Sequence, residues 1–163
     1  MSETILKLIT SSPEETEAAG ASLAETLIGN SALPRFIAMY GDLGSGKTAF
    51  TRGFASVASP TSAVRSPTFT IVNEYRGGST PVFHFDMYRI GDEDELYSIG
   101  FYDYLSKGFC LCEWSENIEY ALPDEFLKAE ISRTGRTDNE RSITVTLVKK
   151  RSDIKENYED SCY

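Results

Sequence analysis

The residues best placed to do chemistry are Gly41-Asp42-Leu43-Gly44-Ser45-Gly46-Lys47-Thr48. They fit G-x-x-x-x-G-K-[ST], a loop whose backbone N–H groups cradle phosphates, with the Lys on the outer phosphates and the hydroxyl on Mg²⁺. Binding becomes turnover only if a metal and an oriented nucleophile are added. Two carboxylates end apolar runs downstream: Asp86 after Val82–Phe85, and Glu113 after Phe109–Cys112. In a parallel α/β sheet the carboxyl ends of strands surround the ligand crevice, so either could face the phosphates. Ser66-Pro67-Thr68 lies between loop and carboxylates, where a segment sensing the γ-phosphate is expected. His84, the one histidine, sits in an aromatic-rich run and reads as a packed, hydrogen-bonded residue, with a base as the alternative. Trp114 follows Glu113 and either packs in the core or covers the nucleotide. The guanine-reading N/T-K-x-D is absent, which points to an adenine nucleotide.

The elements that must position these groups follow from periodicity. Phe36–Tyr40 is an unbroken apolar pentad and reads as a buried strand. From Thr48 to Ala58, Phe50, Phe54, Ala55 and Ala58 recur at helical spacing. Strand, glycine loop and helix are the context a working phosphate loop requires. Ahead of them, Ser12-Pro13-Glu14-Glu15 opens a helix with a capping box, and Ala19, Leu23 and Leu27 form its buried face up to a stop at Gly29. Phe69–Tyr75 reads as a strand, Gly77-Gly78 as a turn, and Pro81–Asp86 as the next strand. So short a connection makes these two antiparallel neighbours, hence a mixed sheet. Asp92–Glu95 begins another helix, Phe109–Glu113 is a strand, and Ser115–Leu122 is a short helix closed by Pro123. Glu130–Ser132 and Ile143–Val148 are strand-like around a turn at Gly135. The fold class is therefore α/β, a three-layer α/β/α arrangement of the P-loop NTPase type with a mixed parallel and antiparallel sheet.

The chain has 163 residues, enough for one domain with a sizeable core; residues 1–150 are assigned to it and 151–163 to a charged, flexible tail. A formal charge of −9 argues against a surface that grips nucleic acid alone, since such binding needs basic side chains to displace counterions. Apolar runs are strand-length, so no membrane span is expected, and the N-terminus resembles neither a secretory nor a transit signal; a cytoplasmic address is the default. Cys110 and Cys112 alternate in one strand and read as small buried hydrophobes, and with Cys162 and a single His they make a poor zinc set.

From Ser12 to Val148 the chain resembles the TsaE (YjeE) family of bacterial P-loop ATPases. The resemblance is carried by Gly41–Thr48, Ser66-Pro67-Thr68-Phe69, His84-Phe85-Asp86-Met87-Tyr88-Arg89 and Glu113-Trp114-Ser115-Glu116, all in family order. It implies an ATPase that binds a TsaD–TsaB complex and resets it during transfer of a threonylcarbamoyl group to tRNA, so that tRNA is met only through the complex. It further implies ATP and Mg²⁺ as cofactors, Thr48 and Glu113 as metal ligands, and Lys47, Asp86 and Glu113 as the catalytic set. Nucleotide contacts would come from Asp42, Gly44, Ser45, Gly46, Lys47, Thr48 and Ala49, with Trp114 nearby and Thr10, Ser12 and Gly135 approaching the adenine. Ser45 stands where Ala is common in the family, and Ser115 where Pro often follows Glu-Trp. Arg52 and Arg89 are candidate transition-state cations, with a partner's Arg as the alternative. Two other readings remain: a small-molecule kinase, and a docking module gated by ATP without significant turnover.

Overall fold

A computed structural model describes residues 2–150; the expected tail 151–163, with Cys162, lies outside the described residues. The elements run β1 (Ser2–Thr10), α1 (Pro13–Gly29), β2 (Phe36–Tyr40), α2 (Lys47–Ala58), β3 (Val72–Tyr75), β4 (Val82–Asp86), α3 (Glu93–Ser98), α4 (Phe101–Tyr104), β5 (Phe109–Glu113), β6 (Glu125–Arg133) and β7 (Arg141–Lys149), with a 3-10 segment Ser115–Ala121 after β5. They build one sheet in the order β1-β7-β6-β2-β5-β4-β3. Its centre is parallel, β2 lying between β5 and β6 with β4 beyond β5. Both flanks are antiparallel: β7 and β1 on one side, β3 on the other. The mixed three-layer α/β/α class is thus observed.

Alternation along the strands divides the core between two faces. Ile37 and Met39 of β2 and Leu111 of β5 meet α1 and α2 through Leu23, Leu27, Phe50 and Phe54. Phe36, Ala38, Cys110 and Cys112 point the other way, toward Leu96, Phe101 and Ile118 of the opposite layer. The two cysteines therefore share one face, as their spacing predicts. Burial pushes the Cys110 thiol up to about 12 and Cys112 higher still, so both are inert. On β4, Val82 packs with the α1/α2 layer while Phe83 and Phe85 pack with the other. His84 and Asp86 fall on alternate positions from those phenylalanines, and Glu113 on the same face as Leu111. The register that pairs Asp86 with Glu113 then sets the two strand-end carboxylates side by side.

Helix α1 begins as its cap predicts: Ser12 Oγ accepts from Glu15 N at 3.1 Å, while Glu15 Oε2 accepts from Ser11 N at 2.6 Å, one residue earlier than the ideal reciprocal box. Helices α1 and α2 cross so closely that a Cβ on Gly53 would lie 1.7 Å from Glu17 O, and one on Gly20 2.0 Å from Phe50 O. The expected strand Phe69–Tyr75 starts only at Val72, because Ile71 takes a left-handed φ of 68° and its N–H turns back to Pro67 O at 2.9 Å. The β6 and β7 strands are longer than their apolar cores suggest, and β1 has no counterpart among the strands expected from periodicity. Among the described residues no helix is long and apolar enough to cross a membrane.

Candidate functional site

Strand β2 delivers the chain into the loop at Gly41, and α2 carries it away from Lys47. Gly44 and Gly46 have φ of 75° and 109°, values that L side chains avoid, so the turn that aims the loop's N–H groups inward needs glycine there. Ser45 lies between them, 2% exposed, and its Oγ is a buried polar atom without a partner. The N-terminus of α2, opening at Gly46 with Lys47 beside it, suits an anion, and phosphate oxygens are the acceptors that such a glycine loop receives. The residues present fit a nucleotide phosphate chain.

The loop forms one wall of a cleft of about 240 Å³. Leu43 to Thr48 supply that wall, Ser66 and Thr68 a second, and Asp86, Glu113 and Trp114 the strand ends opposite. Lys47, only 7% exposed, directs its ammonium to the Gly41 carbonyl and to Asp42 O at 3.3 Å, and over the Trp114 ring at 4.7 Å from its centroid. The aromatic face beside a buried ammonium supplies a favourable cation–π contact. Trp114 itself sits at φ 59°, and its ring lies 5.0 Å from that of Tyr88, tilted by 56°. Trp114, with left-handed backbone, lines the cleft, and Ile71, the second such non-glycine residue, accepts from Asp86 N behind it; such strain costs about 1–3 kcal/mol each.

The carboxylates are 8% and 4% exposed at Asp86 and Glu113. Asp86 Oδ1 accepts from Tyr88 N at 3.0 Å, and Asp86 N donates to Ile71 O at 2.8 Å, tying β4 to the strained turn. Glu113 Oε2 lies 3.1 Å from His84 Nε2, whose other nitrogen is 3.2 Å from Tyr75 Oη. Tyr75 Oη also meets the Arg65 carbonyl at 3.1 Å, and burial keeps its hydroxyl above the ordinary tyrosine range. His84 is completely buried, a packed and hydrogen-bonded residue as expected, and lies outside the cleft lining. Among the described residues no group of three or more His, Cys, Asp or Glu could hold a metal unaided. A divalent ion at Thr48 and Glu113 would be completed by substrate phosphates and water, the usual manner for Mg²⁺.

Not every predicted residue reaches this cleft. Asp42 lies on the loop's other side, with Ser132 and Arg133 around a separate hollow of about 340 Å³. Ala49 belongs to the first turn of α2, outside the cleft lining. Thr10 is fully buried with its hydroxyl 2.8 Å from Thr16 Oγ1, and Ser12 is occupied as the α1 cap. Gly135, at φ 80°, has open space around it in the β6–β7 connection. Arg52 is paired with Glu17 at 2.9 Å, and Arg89 lies over Phe69 at 5.6 Å. Two arginines that the sequence does not single out hold the loop from behind. Arg141 donates from Nε to Ser45 O at 2.8 Å and from Nη2 to Gly44 O at 3.3 Å; Arg133 Nη2 reaches Gly44 O at 3.2 Å. A basic residue on each side of the Gly135 turn, at the loop-proximal ends of two strands, was the available signal.

Comparison with known proteins gives a consistent result. The family model "Threonylcarbamoyl adenosine biosynthesis protein TsaE" matches residues 10–143. A Bacillus subtilis protein named tRNA threonylcarbamoyladenosine biosynthesis protein TsaE is 43% identical over 150 residues, 91% of this chain and 90% of that protein. A protein of the same name from Nostoc sp. is 32% identical, with 85% of each chain covered. The crystal structure of Bacillus subtilis YdiB superposes with a TM-score of 0.70 at 40% identity, covering 91% of this chain and 88% of the other.

Proposed function

Because this chain belongs to the TsaE family, we propose that it is the ATP-binding and ATP-hydrolysing component of tRNA threonylcarbamoyladenosine biosynthesis, acting on a partner complex similar to TsaD–TsaB. The observation that carries the reading is the convergence of Lys47, Thr48, Asp86 and Glu113 on one cleft walled by a glycine loop. In this assignment the loop's N–H groups and the Lys47 ammonium bind the phosphates. Thr48 Oγ1 and the Glu113 carboxylate hold Mg²⁺, which when bound offsets charge on the phosphate oxygens. Asp86 orients the attacking water: its Oδ1 is held by the Tyr88 N–H, and Oδ2 accepts the water's proton. Ser66 and Thr68, facing the loop across the cleft, cover the outer phosphate and exclude bulk water. Trp114 lies against Lys47 beside the nucleotide. The missing guanine-reading motif supports adenine, and the formal charge of −9 supports meeting tRNA through partners in the cytoplasm.

Slow turnover alone and faster turnover with partners is the expected behaviour. No arginine among those expected from the sequence lines the cleft, Arg52 and Arg89 being engaged with Glu17 and Phe69. The test measures phosphate release and complex formation with purified TsaD and TsaB, with and without ATP and Mg²⁺. Stimulated release and nucleotide-dependent association are expected, both lost in Lys47→Ala. Equal turnover with and without partners, or no association under any nucleotide condition, would overturn the reading.

A further inference from the structure

A buried chain of hydrogen bonds runs from Glu113 through His84 and Tyr75 to Arg65, and the hydrolytic steps give it no task. Glu113, His84 and Tyr75 are at most 5% exposed, on three adjacent strands, β5, β4 and β3. Resting on the assignment of Glu113 as a metal ligand, we propose that His84 and Tyr75 are positioning residues that couple the Glu113 carboxylate to the Arg65–Thr68 segment, so that metal binding and closure of that segment over the outer phosphate are one event.

The hydrogen bonds form a continuous path. An ionised carboxylate only accepts, so His84 Nε2–H donates to Glu113 Oε2 at 3.1 Å. Tyr75 Oη lies 3.2 Å from His84 Nδ1 and 3.1 Å from the Arg65 carbonyl, so the tyrosine hydroxyl bridges the histidine and Arg65. Tyr75 Oη in turn accepts from the Arg65 N–H at 3.4 Å. The Arg65 carbonyl keeps a donor of its own in Asn73 Nδ2 at 3.0 Å. Each link is within hydrogen-bond reach of the next, and Arg65 is joined directly to Ser66, which lines the cleft. Metal ligands are ordinarily oriented by such outer partners, whose loss costs about 10–100-fold in metal affinity. Tyr75 is one bond further out, so its hydroxyl is worth about five-fold, the net effect of one hydrogen bond.

The test is calorimetry with a non-hydrolysable ATP analogue, titrated in EDTA and in Mg²⁺; the ratio of the two affinities is the gain conferred by the metal. Tyr75→Phe removes one oxygen and is expected to cut that gain about five-fold while leaving the EDTA affinity unaltered. His84→Gln, which keeps a donor toward Glu113 but loses the partner of Tyr75, should behave alike. In a Glu113→Gln background Tyr75→Phe should have no further effect on the gain. Hydrogen exchange supplies the second readout: Mg²⁺ with the analogue should protect the Ser66 and Thr68 amides in the wild type and fail to do so in Tyr75→Phe, with protection of Gly41–Thr48 retained. An unchanged gain, an equal loss in EDTA, or an effect that adds fully to Glu113→Gln overturns the coupling. If the wild type itself shows no gain from Mg²⁺, the ATPase reading fails first and takes the coupling with it.

Discussion

Replacing Arg141 by Met is expected to weaken ATP binding far more than it weakens the fold. The side chain donates to Ser45 O at 2.8 Å and Gly44 O at 3.3 Å, and from Nη1 to Asp138 O at 2.6 Å and Glu140 O at 3.0 Å. A hydrogen bond to a charged donor contributes about 1.5–3 kcal/mol when buried and less when water can replace it. Only the bond to Ser45, a residue 2% exposed, carries the full value; Gly44 retains Arg133 at 3.2 Å. A loss of about 2 kcal/mol therefore falls on the loop's ordered state. If that free energy is taken from the population with its N–H groups turned inward, apparent affinity falls about 10- to 30-fold, at about 1.4 kcal/mol per decade. Arg141→Lys restores charge but not the fork that reaches two carbonyls, and should recover only part. Calorimetric titration with ATP and Mg²⁺ gives the affinity, and urea unfolding of the same samples separates loop from fold. Affinity within about two-fold of wild type in Arg141→Met would refute the idea that the strands hold the loop.

Gly53→Ala adds a methyl 1.7 Å from Glu17 O. Overpacking of about 1–3 kcal/mol should outweigh the ~1 kcal/mol by which Ala favours a helix, lowering the urea midpoint, and a variant at least as stable as wild type would show that α1 and α2 part at little cost. Asp86→Asn should lower single-turnover ATP hydrolysis at least about 100-fold with affinity within about three-fold, since the amide cannot accept the water's proton; comparable losses in both would make Asp86 a binding residue instead. Burial raises Cys110 from 9.0, and Tyr40 and Tyr102 from 10.0, to about 12 in the fold. The folded state then holds more protons than the unfolded one between about pH 9 and 12, so stability is intact below about pH 9 and lost as pH rises through that window. Urea midpoints flat from about pH 9 to 11, or rapid thiol labelling of a Cys162→Ser variant at about pH 8.5, would contradict this burial.

What could be read from the residues was whatever local pattern decides. The apolar pentad Phe36–Tyr40, the glycines of the loop and the capping residues Ser12 and Asp92 each determine their own conformation, and all stand where periodicity puts them. Asp86 and Glu113 were legible as site candidates because each closes an apolar run, and the carboxyl ends of strands in such a sheet surround the ligand crevice. The failures lie where partners are distant in sequence. Phe69–Ile71 has the composition of a strand, yet Ile71 accepts a strained φ because its N–H and carbonyl bind Pro67 and Asp86. Ser2–Thr10 carries no strong alternation, and only pairing with β7 makes it a strand. The arginines at 133 and 141 look like ordinary solvated charges until the fold lays them against Gly44 and Ser45.

The position of β1 at the edge of the sheet bears on how the protein comes off the ribosome. Among the described residues its strand neighbour is β7, and Ser2 pairs with Val148, so β1 waits for the strand furthest from it along the described sequence. The glycine loop waits too, since Arg141, which donates to Ser45 O, starts β7. A chain ending before β7 carries the complete Gly41–Thr48 motif with the Ser45 carbonyl unbraced and β1 unpaired, an arrangement of high contact order and exposed edges. On the assignment proposed above, the brace on the loop is complete only once β7 has taken its place between β1 and β6.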